Sequence, residues 1–123
     1  MKFRYFKTID AGTVAAGSNF EKEWRSDGDY IVKHILFIEK TGAALNDLTA
    51  TITIEEKSYT KEEVPVTVLG TTRQNALELD IPLPDENVIK IAGKNNSSTN
   101  YSFYIVLVLY TPEAGEWERL TAS

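Results

Sequence analysis

Apolar residues recur at every second position along most of this chain, and no stretch of useful length carries them at the spacing of a helix face. The cleanest case is LTATITIEE, where Leu48, Ala50, Ile52 and Ile54 alternate with Thr49, Thr51, Thr53 and Glu55. That period turns one face of a strand to a core and the other to water. KFRYFKT reads the same way, with Phe3 and Tyr5 opposite Lys2, Arg4 and Phe6. NFEKEWRS alternates Phe20, Lys22 and Trp24 with Glu21, Glu23 and Arg25. In YIVKHILFIEK the period puts Tyr30, Val32, His34, Leu36 and Ile38 on one face, and NALELDI sets Leu77, Leu79 and Ile81 against Glu78 and Asp80. PVTVL and VIKIAG are shorter extended segments, the first placed at an edge or strand start by Pro65. Between them, DAGTVAAGS reads as a loop or loose edge segment, SDGD as an Asp-Gly turn, TGAALND as a connection, TKEEV as one helical turn, and PLPDEN as a proline-bracketed turn.

The last strand differs. In YSFYIVLVLY both faces are apolar, Tyr101, Phe103, Ile105, Leu107 and Leu109 on one and Tyr104, Val106, Val108 and Tyr110 on the other. A half-solvated strand would show polar residues on its second face. That face is therefore expected to lie under a loop of the same chain or under a neighbouring subunit. About eight antiparallel strands with regular turn clusters predict an all-β fold, a jelly-roll-like β-sandwich. One domain is expected over 1–111, followed by a tail or arm over 112–123, since Pro112 stops the last strand. In that tail Trp117 and Leu120 stand three apart, on one side of a helical turn. A Trp there either folds back on its own sandwich or docks on another copy, and AGTVAAGS near the other end could serve as a second adaptable arm.

Composition narrows the chemistry. The 123 residues include no cysteine, which excludes disulfides, thiolate metal sites and cysteine nucleophiles. A net charge of −5 with a pI near 4.9 argues against nucleic-acid binding through a basic face. The apolar run Phe103 to Tyr110 is far shorter than the ~20 residues of a membrane helix, so no membrane partner is expected. The N-terminal MKFRYFKTIDAGTV lacks the apolar stretch of a secretory signal.

Catalysis is not expected. His34 is the lone histidine, in phase with its apolar neighbours and read as a satisfied imidazole. The acids Glu21, Glu23, Glu55, Glu56, Glu62, Glu63, Glu78 and Asp80 fall at outward or turn positions rather than as a facing pair. No cofactor and no metal site is expected. Asp27 and Asp29 in one turn, and Asp85, Glu86 and Asn87 in another, could offer calcium oxygens but lack EF-hand spacing. Asn95, Asn96 and Asn100 head formal glycosylation sequons in a run of good turn formers. Trp24, Tyr59, Tyr101, Tyr104, Tyr110 and Trp117 are the aromatics that could stack on a glycan.

Over roughly residues 30 to 111 the chain resembles the single jelly-roll and β-sandwich subunits of virus particles: capsid, decoration and spike proteins of phages and archaeal viruses. TGAALNDLTATITIEE and LELDIPLPDENVIKIAGKNNSSTNYSFYIVLVLY carry the resemblance. It implies a structural virion protein without catalysis, partnered by copies of itself and by other virion proteins. Trp117, Leu120, Tyr104 and Tyr110 are the expected subunit contacts, with Phe3 and Tyr5 beside them. A carbohydrate-binding module or adhesin, at a cell surface or exported by a signal-independent route, is the alternative function. A small-ligand barrel is a third, disfavoured by the absence of a lid or a polar lumen.

Overall fold

The computed structural model describes residues 3–72, 74 and 76–121. It contains β1 (Arg4–Val14), β2 (Asn19–Arg25), β3 (Tyr30–Glu39), β4 (Leu48–Ile54), the two-residue β5 (Lys57–Ser58) and β6 (Val64–Pro65), α1 (Val66–Leu69), β7 (Ile81–Leu83), β8 (Val88–Asn95), β9 (Tyr101–Tyr110) and α2 (Glu116–Thr121). The strands form two antiparallel sheets, one ordered β1-β9-β3-β7 and the other β2-β8-β4-β5, with β6 also on β4. The protein is an all-β sandwich. β1, β3, β7 and β9 lie in one layer and β2, β4, β5, β6 and β8 in the other. β5 and β6 border the same side of β4 at its two ends, through Thr53–Ser58 and Thr49–Pro65 pairs.

The core sits between the layers and follows the alternation. Phe103, Ile105, Leu107 and Leu109 of β9 meet Leu48, Ala50, Ile52 and Ile54 of β4 and Ile89 and Ile91 of β8, all buried. Phe103 packs edge-on to Phe20 from β2, with ring centroids 5.3 Å apart. Each large apolar side chain buried this way contributes about 1.5–3 kcal/mol.

Five segments depart from the expected pattern. The DAGTV stretch, expected as a loop or loose edge, is the second half of β1, because a bulge between Asp10 and Gly12 absorbs Ala11 and lets pairing resume with Phe103. A second bulge, between Val32 and His34, shifts the phase of β3. Val32 therefore faces the core, whereas His34, Leu36 and Ile38 pair with Val108, Val106 and Tyr104 on the outer face. The single face Tyr30–Val32–His34–Leu36–Ile38 does not exist. PVTVL, expected as extended, winds into α1 and plugs the sandwich with Val66 and Leu69. The helical turn expected at TKEEV is absent there. Residues 76–80 of NALELDI are irregular rather than a strand. They run along β3, where the Leu79 amide donates to the Lys33 carbonyl at 2.6 Å and the Phe37 amide donates to Gly70 at 3.0 Å.

Gly70 makes that turn possible. Its φ of 135° suits glycine, and a Cβ there would stand 2.8 Å from the Ala76 Cα.

Candidate functional site

The second face of β9 has two fates. Toward one end it is covered by its own chain: Val108 is buried, as are Ile31 and Leu36 on β3, and Leu36 lies beneath Gly70. Toward the other end Tyr104 is 37% exposed. There Asp10, Lys40 and Tyr104 from three adjoining strands or their ends form a small polar cluster. The Lys40 ammonium bonds Asp10 Oδ1 at 2.7 Å and stands 4.8 Å from the Tyr104 ring centroid. That ammonium, with the Gly12 amide, holds the Asp10 carboxyl below its usual range.

β1 is the end strand of its sheet, and three of the exposed large apolar side chains lie there, while Val68 on α1 and Leu77 are exposed elsewhere. Phe3 and Phe6 are each 52% exposed and Tyr5 47%. Arg4 lies over the Phe6 ring at 5.6 Å. Tyr5 meets Tyr30 edge-on at 5.8 Å, and Trp24 of β2 tilts against the same Tyr30 at 6.2 Å. The Lys7 ammonium stands 5.8 Å from the Trp24 ring.

The six expected contact residues are thus dispersed. Phe3 and Tyr5 mark one edge of the β1-β9-β3-β7 sheet, while Trp117 and Leu120 on α2 pack beside β7 at the opposite edge. The edges are three strand spacings apart, about 14 Å. Both tail residues are half-buried, Leu120 near Pro82 and Pro84, so the tail folds back on its own sandwich. Tyr104 and Tyr110 share a face of β9 but lie near its two ends. Among the described aromatics, Tyr101 is buried in the core and Tyr59 is half-buried on the other sheet's side.

The two acidic turns come together at one end of the sandwich. Asp29 Oδ1 accepts from the Asp85 amide at 2.8 Å, Arg25 donates to the Glu86 carbonyl at 2.7 Å, and the Glu86 amide donates to the Ser26 carbonyl at 3.0 Å. Asp27 Oδ1 accepts from the Tyr30 hydroxyl at 2.7 Å. These oxygens tie turn to turn, and among the described residues no three His, Asp or Glu converge on an ion. The Asp27 carboxylate, helped by burial, pushes the Tyr30 phenol up to about 12. Because the folded phenol holds its proton above the unfolded value near 10, Tyr30 stabilises the fold below pH 10, and this contribution fades between about pH 10 and 12. In an ultraviolet titration Tyr30 should ionise near 12, and Asp27→Asn should lower that value toward 10.

The loop NNSSTN is a clasp built around Asn95. This side chain is fully buried. Its Nδ2 donates to the carbonyls of Val14 at 3.0 Å and Thr99 at 2.8 Å, and its Oδ1 accepts from the Ser97 amide at 2.9 Å and hydroxyl at 2.6 Å. An Asn amide has two donor hydrogens and one acceptor oxygen, so all of its capacity is used. Asn95 is therefore closed to glycosylation in the folded protein. Asn96 and Asn100 are exposed, and Asn100 Oδ1 accepts from the Ala16 amide at 3.1 Å. His34 is likewise held by main chain. Its Nδ1 lies 2.9 Å from the Leu77 carbonyl, which can only accept, so that nitrogen carries the proton.

Sequence reasoning missed two features: the edge-strand cluster around Phe6 and the structural role of Asn95. Both had a signal. Phe6 breaks the polar side of KFRYFKT, and Asn95 continues the inward phase of Ile89, Ile91 and Gly93. The chain matches no protein-family model, no curated protein and no solved structure.

Proposed function

We propose that this protein is a structural subunit of a virion, a capsid or capsid-decoration protein that works by docking to copies of itself and to other virion proteins. The observation carrying this reading is where the exposed apolar side chains lie. In an acidic chain whose other sheet presents Glu21, Glu23, Arg25, Lys94 and threonines, four of the six exposed large apolar side chains lie at the β1 end of the first sheet, Phe3 and Tyr5 on one face of it and Phe6 and Tyr104 on the other, while Val68 and Leu77 are exposed away from it. Large apolar groups left exposed along one sheet edge support an interaction site there. In this reading the fold is a jelly roll. β5 and β6 share one of eight strand positions, and the chain crosses between sheets from β1 through β4 and again from β6 to β9, as in a double Greek key. The acidic surface keeps free subunits soluble before they assemble.

The glycan-binding alternative would need rings lying side by side as a platform. The rings that meet here, Tyr5 with Tyr30 and Trp24 with Tyr30, stand at 72° and 35° instead. Negative-stain imaging of concentrated protein separates the readings. Regular rings, sheets or shells support the structural subunit. Dispersed single particles that bind a glycan panel would replace it with the module.

A further inference from the structure

Exposed apolar side chains stand on two opposite flanks of the sandwich, and the two flanks differ in charge. The first flank lies between the end strands β1 and β2. Alternation points Tyr5, Lys7 and Ile9 of β1 and Lys22 and Trp24 of β2 into it. Two of these five are lysines and none is an acid, and Arg4 is exposed beside them.

The second flank lies beyond β3, where Val68 and Leu77 are exposed. The Leu77 amide donates to the Leu69 carbonyl at 2.9 Å, which joins the two segments, and α1 packs on β3 and β4. Charge there has the opposite sign. Among the described residues, 76–83 and the tail 111–121 carry Glu78, Asp80, Glu113, Glu116 and Glu118 against Arg119 alone. Lys33 pairs with Asp80 and, at 3.6 Å, with Glu78, yet the Glu78 side chain stays 69% exposed.

We propose that copies dock head to tail, the β1/β2 flank of one on the Leu77–Glu78 flank of the next. The proposal rests on the self-assembly reading above and names its contact. Tyr5 and Trp24 supply rigid rings of the kind that anchor interfaces, and Val68 and Leu77 the apolar ground they meet. Arg4 and Lys7 then stand opposite Glu78 and Asp80.

Charge selects this pairing over the two-fold ones. Two β1/β2 flanks face to face would set Arg4, Lys7 and Lys22 against themselves. Two far flanks would do the same to Glu78, Asp80 and Glu118. Juxtaposed like charges are costly, and only the mixed contact joins opposite signs. The inward-pointing lysines also guard both free edges against indiscriminate strand addition, so this contact runs through side chains rather than a shared sheet. Because each copy offers one flank of each kind, the contact is heterologous, closing into a ring or running on as a filament.

Arg4→Glu and Glu78→Lys test this at two exposed side chains, each reversing charge on one flank only. In sedimentation velocity each variant alone should associate about tenfold more weakly than the parent, or less. An equimolar mixture should regain association, since each variant keeps the flank that the other has lost. Raising the salt from about 0.1 M to about 1 M shortens the screening length from about 10 Å to about 3 Å and should weaken the parent likewise. Should thermal unfolding show that either variant has lost its fold, Lys7→Gln and Glu118→Lys take their places with the same expectations. Either variant associating like the parent, or a mixture no stronger than its parts, would overturn the proposal. If that happens while the unmodified protein still sediments above one chain, this contact is wrong and the assembly reading stands. If the unmodified protein is also a single chain, both fall.

Discussion

Replacing Asn95 with alanine should cost about 3 kcal/mol of folding stability, because the Val14 and Thr99 carbonyls and the Ser97 amide all lose their partner. Val14 is buried, so water cannot readily replace the lost bond there, whereas Thr99 is exposed and recovers part of its loss. For a domain whose whole stability is roughly 5–15 kcal/mol, this is a large share. Asn95→Asp is the sharper variant. A carboxylate has no donor for the two carbonyls and places a buried charge against their oxygens, so the loss at neutral pH should exceed that of alanine. Burial beside carbonyl oxygens raises the folded pKa of that carboxyl above the unfolded value near 3.9. The folded state then binds the proton more tightly, so the penalty shrinks as pH falls toward 4 and grows as it rises. Urea unfolding at pH 4 and pH 7 reads both the size and the sign. An Asn95→Asp protein as stable as the parent at pH 7 would mean the clasp is not formed.

Gly93→Ala should be comparably damaging. A Cβ at Gly93 would fall 1.8 Å from the Thr49 carbonyl oxygen and 2.9 Å from the Ala50 Cα, both backbone atoms that cannot rotate away. β4 and β8 would have to separate where they form the centre of their sheet. Overpacking a core costs typically 1–3 kcal/mol, and with backbone as the obstacle about 3 kcal/mol or more is expected. Gly28→Ala is the control: its nearest neighbours are Tyr30 ring atoms at 3.6 Å, an ordinary contact. That change should stay within about 0.5 kcal/mol. Thermal and urea unfolding of the two variants should separate them clearly, and equal stabilities would contradict the close approach of the strands.

Where period-2 alternation ran unbroken, the sequence was a good guide. Leu48, Ala50, Ile52 and Ile54 face the core as their spacing predicts, and so do Phe103, Ile105, Leu107 and Leu109. The departures have local causes. A bulge inserts one residue and reverses the phase of everything after it, and nothing in VKH announces that Lys33 is the extra one. Asp10-Ala11-Gly12 looks like the end of a strand because bulges use the same residues as turns. Leu77 and Leu79 alternate convincingly, yet their segment binds β3 through single hydrogen bonds and belongs to no ladder. Gly93 read as a strand terminus, when its missing side chain is what lets β4 pass so near.

The candidate contact surface was less legible. Trp117 and Leu120 do share a short helix, but only tertiary structure could tell that it folds back beside β7. Phe3 and Tyr5 share a face by their spacing, and both are exposed. Phe6 was assigned to the polar face, and its exposure depends on β1 being the end of a sheet, which no local pattern encodes.

Sedimentation velocity of the unmodified chain, from micromolar toward millimolar concentration, tests the central claim most directly. A self-assembling subunit should show a mass rising from the 13.8 kDa chain to discrete multiples of it. A single 13.8 kDa species at every concentration would contradict the claim.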